Sequence, residues 1–354
     1  MLLVLGIKIY HKKVSPMVKL NVVMNAPKLN VVSAPPSLTK SLMAGFDTIS
    51  NHIGLIIFTI LLDILLWFGP RLRVFGLFQR AFEQIMSLPE MKSSEMMDTM
   101  QITRDFWLSF SESFNLLTFL RTLPVGIPSL MVSRSPIEIP FGIPVVLEIN
   151  STGTALGLIL LFNILGIILG TLYFTFIAQA AASGEISWRQ AVSHWPWASL
   201  QIFLLTVLAF GLLFLLAIPI SCFLSVIMLS GLGLERFGFI LLLIVGGLML
   251  WWLIPLFFTP HGIIAKHLGI RKSIPESIRL TRATLPISGF LVLTLIVLSE
   301  GLKLLWRVPP ENSWFTLVGI VGHSFVVTSL IAASFVYYRE ADLWINSEEQ
   351  QIVV

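Results

Sequence analysis

Charge is scarce in this sequence. Only 12% of its 354 residues are Asp, Glu, Lys or Arg, against about 25% in an ordinary soluble domain. With 56% hydrophobic residues and a mean hydropathy of +0.88, a water-soluble fold would lack the polar surface to cover itself. Lipid is therefore the expected solvent for much of the chain. Cysteine is nearly absent: Cys222 stands alone in an apolar run, which excludes an internal disulfide and a thiolate metal site. The net charge of +4 is too small and too dispersed to suggest nucleic acid. The closest pair of the six histidines, His261 and His267, does not share a helix face. Catalytic signatures are missing as well. There is no H-E-x-x-H, no G-x-S-x-G and no phosphate-cradling glycine loop. "GLGLERFG" at 231–238 has the glycines but not the preceding strand of a dinucleotide site. The expectation is a chain without enzymatic activity, cofactor or metal.

Long apolar runs are what the sequence has in abundance. A spanning helix takes about 20 mostly apolar residues, and six segments qualify: 51–68, 154–182, 198–229, 237–259, 286–306 and 314–338. Pro219 marks a bend in the third, and Trp251–Trp252 in the fourth suits a membrane interface. The connection between the fourth and fifth carries Lys266, Arg271, Lys272, Arg279 and Arg282 against one acid, Glu276. Six lysines precede the first span. The short loops on the opposite side carry little, Arg236 beside Glu235 and Arg307 beside Glu311, and the long 69–153 segment translocates largely regardless of its charge. The positive-inside rule then puts both termini in the cytoplasm.

The predicted fold is all-α: a polytopic transmembrane bundle of about six spans, with interfacial amphipathic helices and an extracytoplasmic helical cap. Residues 1–36 form a basic cytoplasmic arm, in which Met17 and Met24 are alternative starts. Residues 37–68 hold an interfacial helix and the first span. Residues 69–153 form the cap, 154–342 the other five spans and 343–354 a cytoplasmic tail. In the cap, Phe75, Phe78, Phe82 and Ile85 recur at helical spacing, as do Phe106, Trp107, Phe110 and Phe114. Pro124, Pro128, Pro136, Pro140 and Pro144 break regular structure in its second half.

Three stretches share one pattern: "SLTKSLMAGFDTI" from Ser37, "SWRQAVSHWPWAS" from Ser187 and "SIPESIRLTRATL" from Ser273. Each opens on a serine, and Gln190 and Glu276 complete capping boxes in the last two. Leu38, Trp188 and Ile274, then Leu42, Val192 and Ile278, fall in one phase. The pattern predicts a repeated cytoplasmic in-plane helix, apolar on that stripe and feeding a span.

"ASGEISWRQAVSHW", "FFTPHGIIAKHLGIRKSIPESIRLTRATLPISGFLVLTL" and the closing "FVYYREADLW" resemble the membrane domain associated with glycerophosphoryl diester phosphodiesterases. The resemblance covers roughly residues 154–342 and implies a six-helix membrane bundle. It implies no phosphodiesterase activity, which belongs to a separate soluble domain. The cap insertion departs from that group's compact pattern.

Ionisable side chains at membrane depth are costly, so their few positions are informative. They are Asp63, Glu300, Lys303 and His323. At the helical rise, Asp63 and Glu300 lie roughly 8 and 9 Å inside the outer ends of their spans, and His323 about 14 Å. Three readings stay open: an intrahelical Glu300–Lys303 pair, Lys303 bridging Asp63 and Glu300, or a polar pocket with His323 on a solute path. "GTALG" (153–157) and "GIILG" (166–170) allow close helix packing. The expected function is a structural or accessory role in a bacterial plasma membrane, with a transporter subunit as the alternative. The expected partners are the lipid bilayer and other membrane subunits. Anionic headgroups would meet Lys266, Arg271, Lys272, Arg279 and Arg282.

Overall fold

The computed structural model describes residues 35–87, 94–134, 136, 138–229, 240, 243, 244, 246, 247 and 254–352. Its helices are α1 (Leu38–Asn51), α2 (Ile57–Phe68), α3 (Phe75–Met86), α4 (Ser94–Ser113), α5 (Thr152–Ser183), α6 (Trp188–Leu229), α7 (Thr259–Ala265), α8 (Ile270–Ala283), α9 (Leu285–Trp306) and α10 (Thr316–Ile352). Among the described residues, α5, α6, α9 and α10 contain stretches long and apolar enough to cross a membrane. Helix α1 and the helix Ile53–Phe68, bent by 91° at their junction, together pass the same test and make a fifth if the bent pair is one span. About half of the expected span at 237–259 lies outside the described residues, as does the arm to residue 34.

The 22 residues of α9 measure about 33 Å at the helical rise, close to a bilayer's hydrocarbon thickness. In its most apolar window 11% of residues are buried, against 61% for α10. Phe290, Leu293, Ile296, Val297 and Leu304 form an exposed apolar face on α9. A face of that size is abnormal in water and ordinary in lipid.

Helix α10 is the hub. As α1 advances from Ser41 to Phe46, its contacts on α10 recede from Glu340 (3.4 Å) through Ala333 to Phe325 (5.9 Å between ring centroids), so the two run antiparallel. A Cβ on Gly45 would stand 2.5 Å from the Ala333 nitrogen, so only glycine permits this approach. Tyr173 on α5 meets Thr328 at 2.8 Å. Arg339 Nη1 donates to the Ala181 and Ala182 carbonyls at 2.9 and 2.5 Å, satisfying the open end of α5. That end is closed by Gly184 at φ +69°.

The three repeated stretches are all helical, but their boundaries differ from expectation. The second is continuous with the following span, since α6 runs from Trp188 to Leu229 through Pro196 and Pro219. The Ser187 N–H, which a capping box would tie to Gln190, donates to Gln179 Oε1 at 3.1 Å. The third begins earlier than predicted: Gly269 is the N-cap of α8, and Ser273 lies inside it with its hydroxyl on the Thr259 carbonyl at 2.6 Å. Ser37 does precede α1 but makes no side-chain cap bond. The residue four positions after each serine is buried: Ser41, Ala191 and Ser277. The apolar phase is not the shared packing face, and Trp188 and Val192 are 65% and 49% exposed. In lipid, large apolar side chains gain nothing by leaving the hydrocarbon, while small residues let backbones close up.

Residues 69–153 start and finish on a two-stranded parallel sheet, β1 (Arg71–Arg73) and β2 (Val146–Glu148), in the register Arg71↔Val146. Arg73 and Glu148 pair across it at 2.8 Å. The two aromatic-rich periods are α3 and α4, joined by Phe78 stacked on Trp107. The proline-rich half differs from the outer loop that the sequence suggests. From the 3-10 turn Leu116–Leu120 to Met131 it enters the bundle, burying Leu116, Leu117, Leu120, Val125, Ile127, Leu130 and Met131. It runs past the middle of α5. A Cβ on Gly170 would lie 2.9 Å from Gly126 Cα, and one on Gly166 would strike the Leu120 carbonyl. "GIILG" thus admits an irregular backbone rather than a helix, while Gly157 of "GTALG" faces open space.

Candidate functional site

Asp63 is fully buried on α2. Its carboxylate accepts the Leu130 N–H at 3.1 Å, the Met131 N–H at 2.9 Å and the Ser129 hydroxyl. Ser129 Oγ in turn accepts the Val132 N–H at 3.1 Å. The carboxylate therefore caps the 3-10 turn Met131–Ser133 and holds the inserted segment to α2. Irregular backbone is tolerated at membrane depth where such partners satisfy it. These bonds run to Ser129, Leu130 and Met131, so Asp63 is held by the inserted segment and not by Lys303.

Lys303 Nζ donates to both Glu300 oxygens, at 2.5 and 2.7 Å. This is the intrahelical pair of the first reading. Its two halves have unequal surroundings: the Lys303 side chain is 8% exposed and that of Glu300 59%. His323 is buried on α10 with Nδ1 unpartnered. Gly319 and Gly322 receive Trp306, at 2.5 and 2.6 Å from where their Cβ atoms would stand. One turn inward along these antiparallel helices, His323 comes beside Lys303. The charges acting on it are Lys303, Arg121, Arg307 and Glu300. The structure thus gathers Glu300, Lys303 and His323, with Asp63 nearby as a separate clamp.

Sequence reasoning missed Arg121, Ser129 and Arg134. Arg121 is the C-cap of the 3-10 turn Leu116–Leu120 that enters the bundle. Arg134 donates through Nη2 to the Arg307 and Pro309 carbonyls at 2.9 and 2.6 Å, and its Nε lies 3.4 Å from Glu311. Burial pulls its guanidinium below the ordinary arginine value. Arg307 Nη2 donates to the Ser133 carbonyl at 2.8 Å. Trp67 Nε1 donates to the Glu311 carbonyl at 2.9 Å, completing the rim. The only hint of this rim in the sequence is polar residues flanking a proline-rich stretch.

At the opposite end, Lys266 bonds Glu276 and, at 2.8 Å, Asp342. Burial lowers the affinity of Lys266 for its proton, but the two carboxylates outweigh it and leave the ammonium above its ordinary value. Arg279 reaches Asn346 at 3.4 Å, and Arg271, Lys272 and Arg282 are exposed. His267 does not join His261. It stacks on His194 at 4.2 Å, while His261 meets Ser334 at 2.8 Å. At the α1–α2 bend, Asp47, Thr48, Asn51, His52 and Gly184 line an open cleft of about 570 Å³. Among the described residues, no cluster of three or more His, Cys, Asp or Glu side chains could hold a metal. Comparison with known proteins finds no matching family model, curated protein or solved structure.

Proposed function

We propose that this chain is a non-catalytic, multi-pass protein of a bacterial plasma membrane with a structural or accessory role. In this reading both termini are cytoplasmic, the α3–α4 region faces outward, and a sixth span lies between α6 and α7. The resemblance of residues 154–342 to the phosphodiesterase-associated membrane domains belongs to the same proposal. So do other membrane subunits as partners, and anionic headgroups at Lys266, Arg271, Lys272, Arg279 and Arg282. The carrying observation is that the intramembrane charges are matched within the chain: Asp63 by three donors and Lys303 by Glu300. A self-neutralised pair needs no solute. The test is flux in proteoliposomes loaded with a pH- or ion-sensitive dye. The expected result is no protein-dependent flux; flux abolished in a folded Glu300→Leu/Lys303→Met double variant would overturn it.

A second reading, a transporter subunit, is favoured by the irregular backbone at mid-depth of α5 and by the helix broken beside a polar cleft. Discontinuous helices around polar groups are a recurring feature of solute carriers. The same flux measurement separates the two readings.

A further inference from the structure

The outer end of the α9–α10 pair carries two features that the proposed function leaves unused. One is an apolar groove of about 430 Å³ lined by Trp306, Leu317, Val318, Val321 and Gly322. The other, beside Trp306, is a group of nitrogen donors without partners: Trp306 Nε1, Arg307 Nε and Arg134 Nη1. The Arg134 side chain is only 8% exposed, and Glu311 takes its Nε edge alone. Two carboxylates stand at this rim, Glu311 on Arg134 and Glu138 on Asn312 at 3.5 Å, against the two guanidinium groups of Arg134 and Arg307. Glu300 is engaged a turn deeper by Lys303, and Asp63 by the inserted segment.

We propose that this place binds one anionic phospholipid, its phosphate drawn by Arg307 and Arg134 and one acyl chain lying in the Trp306–Val318 groove. The chemistry fits on three counts. Buried donors without partners are costly, and an oxyanion offers several acceptor sites. Arginine suits that oxyanion because each guanidinium keeps a donor beyond those engaged within the chain, Nη1 on Arg134 and Nε on Arg307. The groove is apolar and opens beside the exposed Val318 and Val321, on the face that the span reading gives to lipid. Arg307 directly follows α9 and Thr316 begins α10, so the donors sit where two spans end and headgroups are expected.

The inference rests on the reading that α9 and α10 cross a bilayer. Alkaline carbonate extraction of membranes tests that reading separately: release of the chain would refute it, whatever the lipid result. For the site itself, the full chain is purified in a zwitterionic detergent, and retained lipid is counted by native mass spectrometry during titration with phosphatidylglycerol. One phosphatidylglycerol should bind with preference over phosphatidylcholine, and millimolar inorganic phosphate should not displace it. Val318→Trp, on an exposed position, should weaken binding more than about tenfold by filling the groove. Arg307→Gln should weaken it about fivefold, and Arg307→Lys less. Should Arg307→Gln disturb the fold through its bond to Ser133, Val318→Trp still decides. Wild-type affinity in Val318→Trp, equal retention of phosphatidylcholine, or displacement by phosphate alone would each overturn the proposal.

Discussion

Asp63 Oδ1 accepts the Met131 N–H at 2.9 Å although the two residues lie 68 positions apart. That bond and its two companions hold an irregular segment inside a helical bundle. Asp63→Ala should strand a buried hydroxyl and two N–H groups, costing about 3 kcal/mol or more at 1–3 kcal/mol per unsatisfied group. Ser129→Ala should cost about 1 kcal/mol. Thermal unfolding in detergent reads both, and equal effects would contradict the clamp.

Lys303 is buried and its partner is not, so the two single substitutions should differ. Glu300→Leu leaves a buried ammonium alone and should destabilise by about 3 kcal/mol. Adding Lys303→Met should recover most of that loss. A double-mutant cycle on unfolding midpoints checks it; strictly additive effects would mean that the pair contributes no coupling.

Gly45 and Gly157 offer a matched comparison. Alanine at Gly45 would collide with Ala333 and should cost about 1–3 kcal/mol. Alanine at Gly157 meets nothing within 4 Å and should be neutral or stabilising by up to about 1 kcal/mol. Equal losses would rule out the close α1–α10 approach.

Lys266 should show its bonds in alkali. Its folded value lies above the ordinary one, so its contribution is complete below about pH 10.4, the unfolded value, and fades as pH rises through the folded one. Lys266→Met should remove a modest stabilisation of under about 1 kcal/mol near neutral pH. Unfolding followed from pH 8 to 11 should then fall less steeply in the variant; an identical slope would refute the linkage.

The proposed orientation predicts a labelling pattern. In a Cys222→Ser background, Lys272→Cys should resist membrane-impermeant maleimide in intact cells and react after permeabilisation. Ser109→Cys on α4 should react before permeabilisation. The reverse pattern would invert the topology.

Much of the site was legible because a charge in an apolar run is conspicuous. Asp63, Glu300, Lys303 and His323 stand out that way, and the Glu300–Lys303 pair follows from a three-residue spacing on one helix. Arg121, Ser129 and Arg134 were not legible. Their segment reads as an ordinary proline-rich loop, and its insertion depends on Asp63, Gly166 and Gly170, which are remote in sequence. The repeats show a similar division. Their helical phase can be read from spacing, but the packing face falls on Ser41, Ala191 and Ser277 because lipid reverses the usual advantage of burying large apolar residues.

Composition and apolar run length alone determined a helical chain with several helices long and apolar enough to cross a membrane, because hydrocarbon leaves a backbone few ways to satisfy its polar groups. Which helix became the hub, where α1 bends and what Asp63 grips were decided only by tertiary structure. Those choices depend on which small residues and which buried donors meet across long sequence separations, and a linear pattern does not encode that.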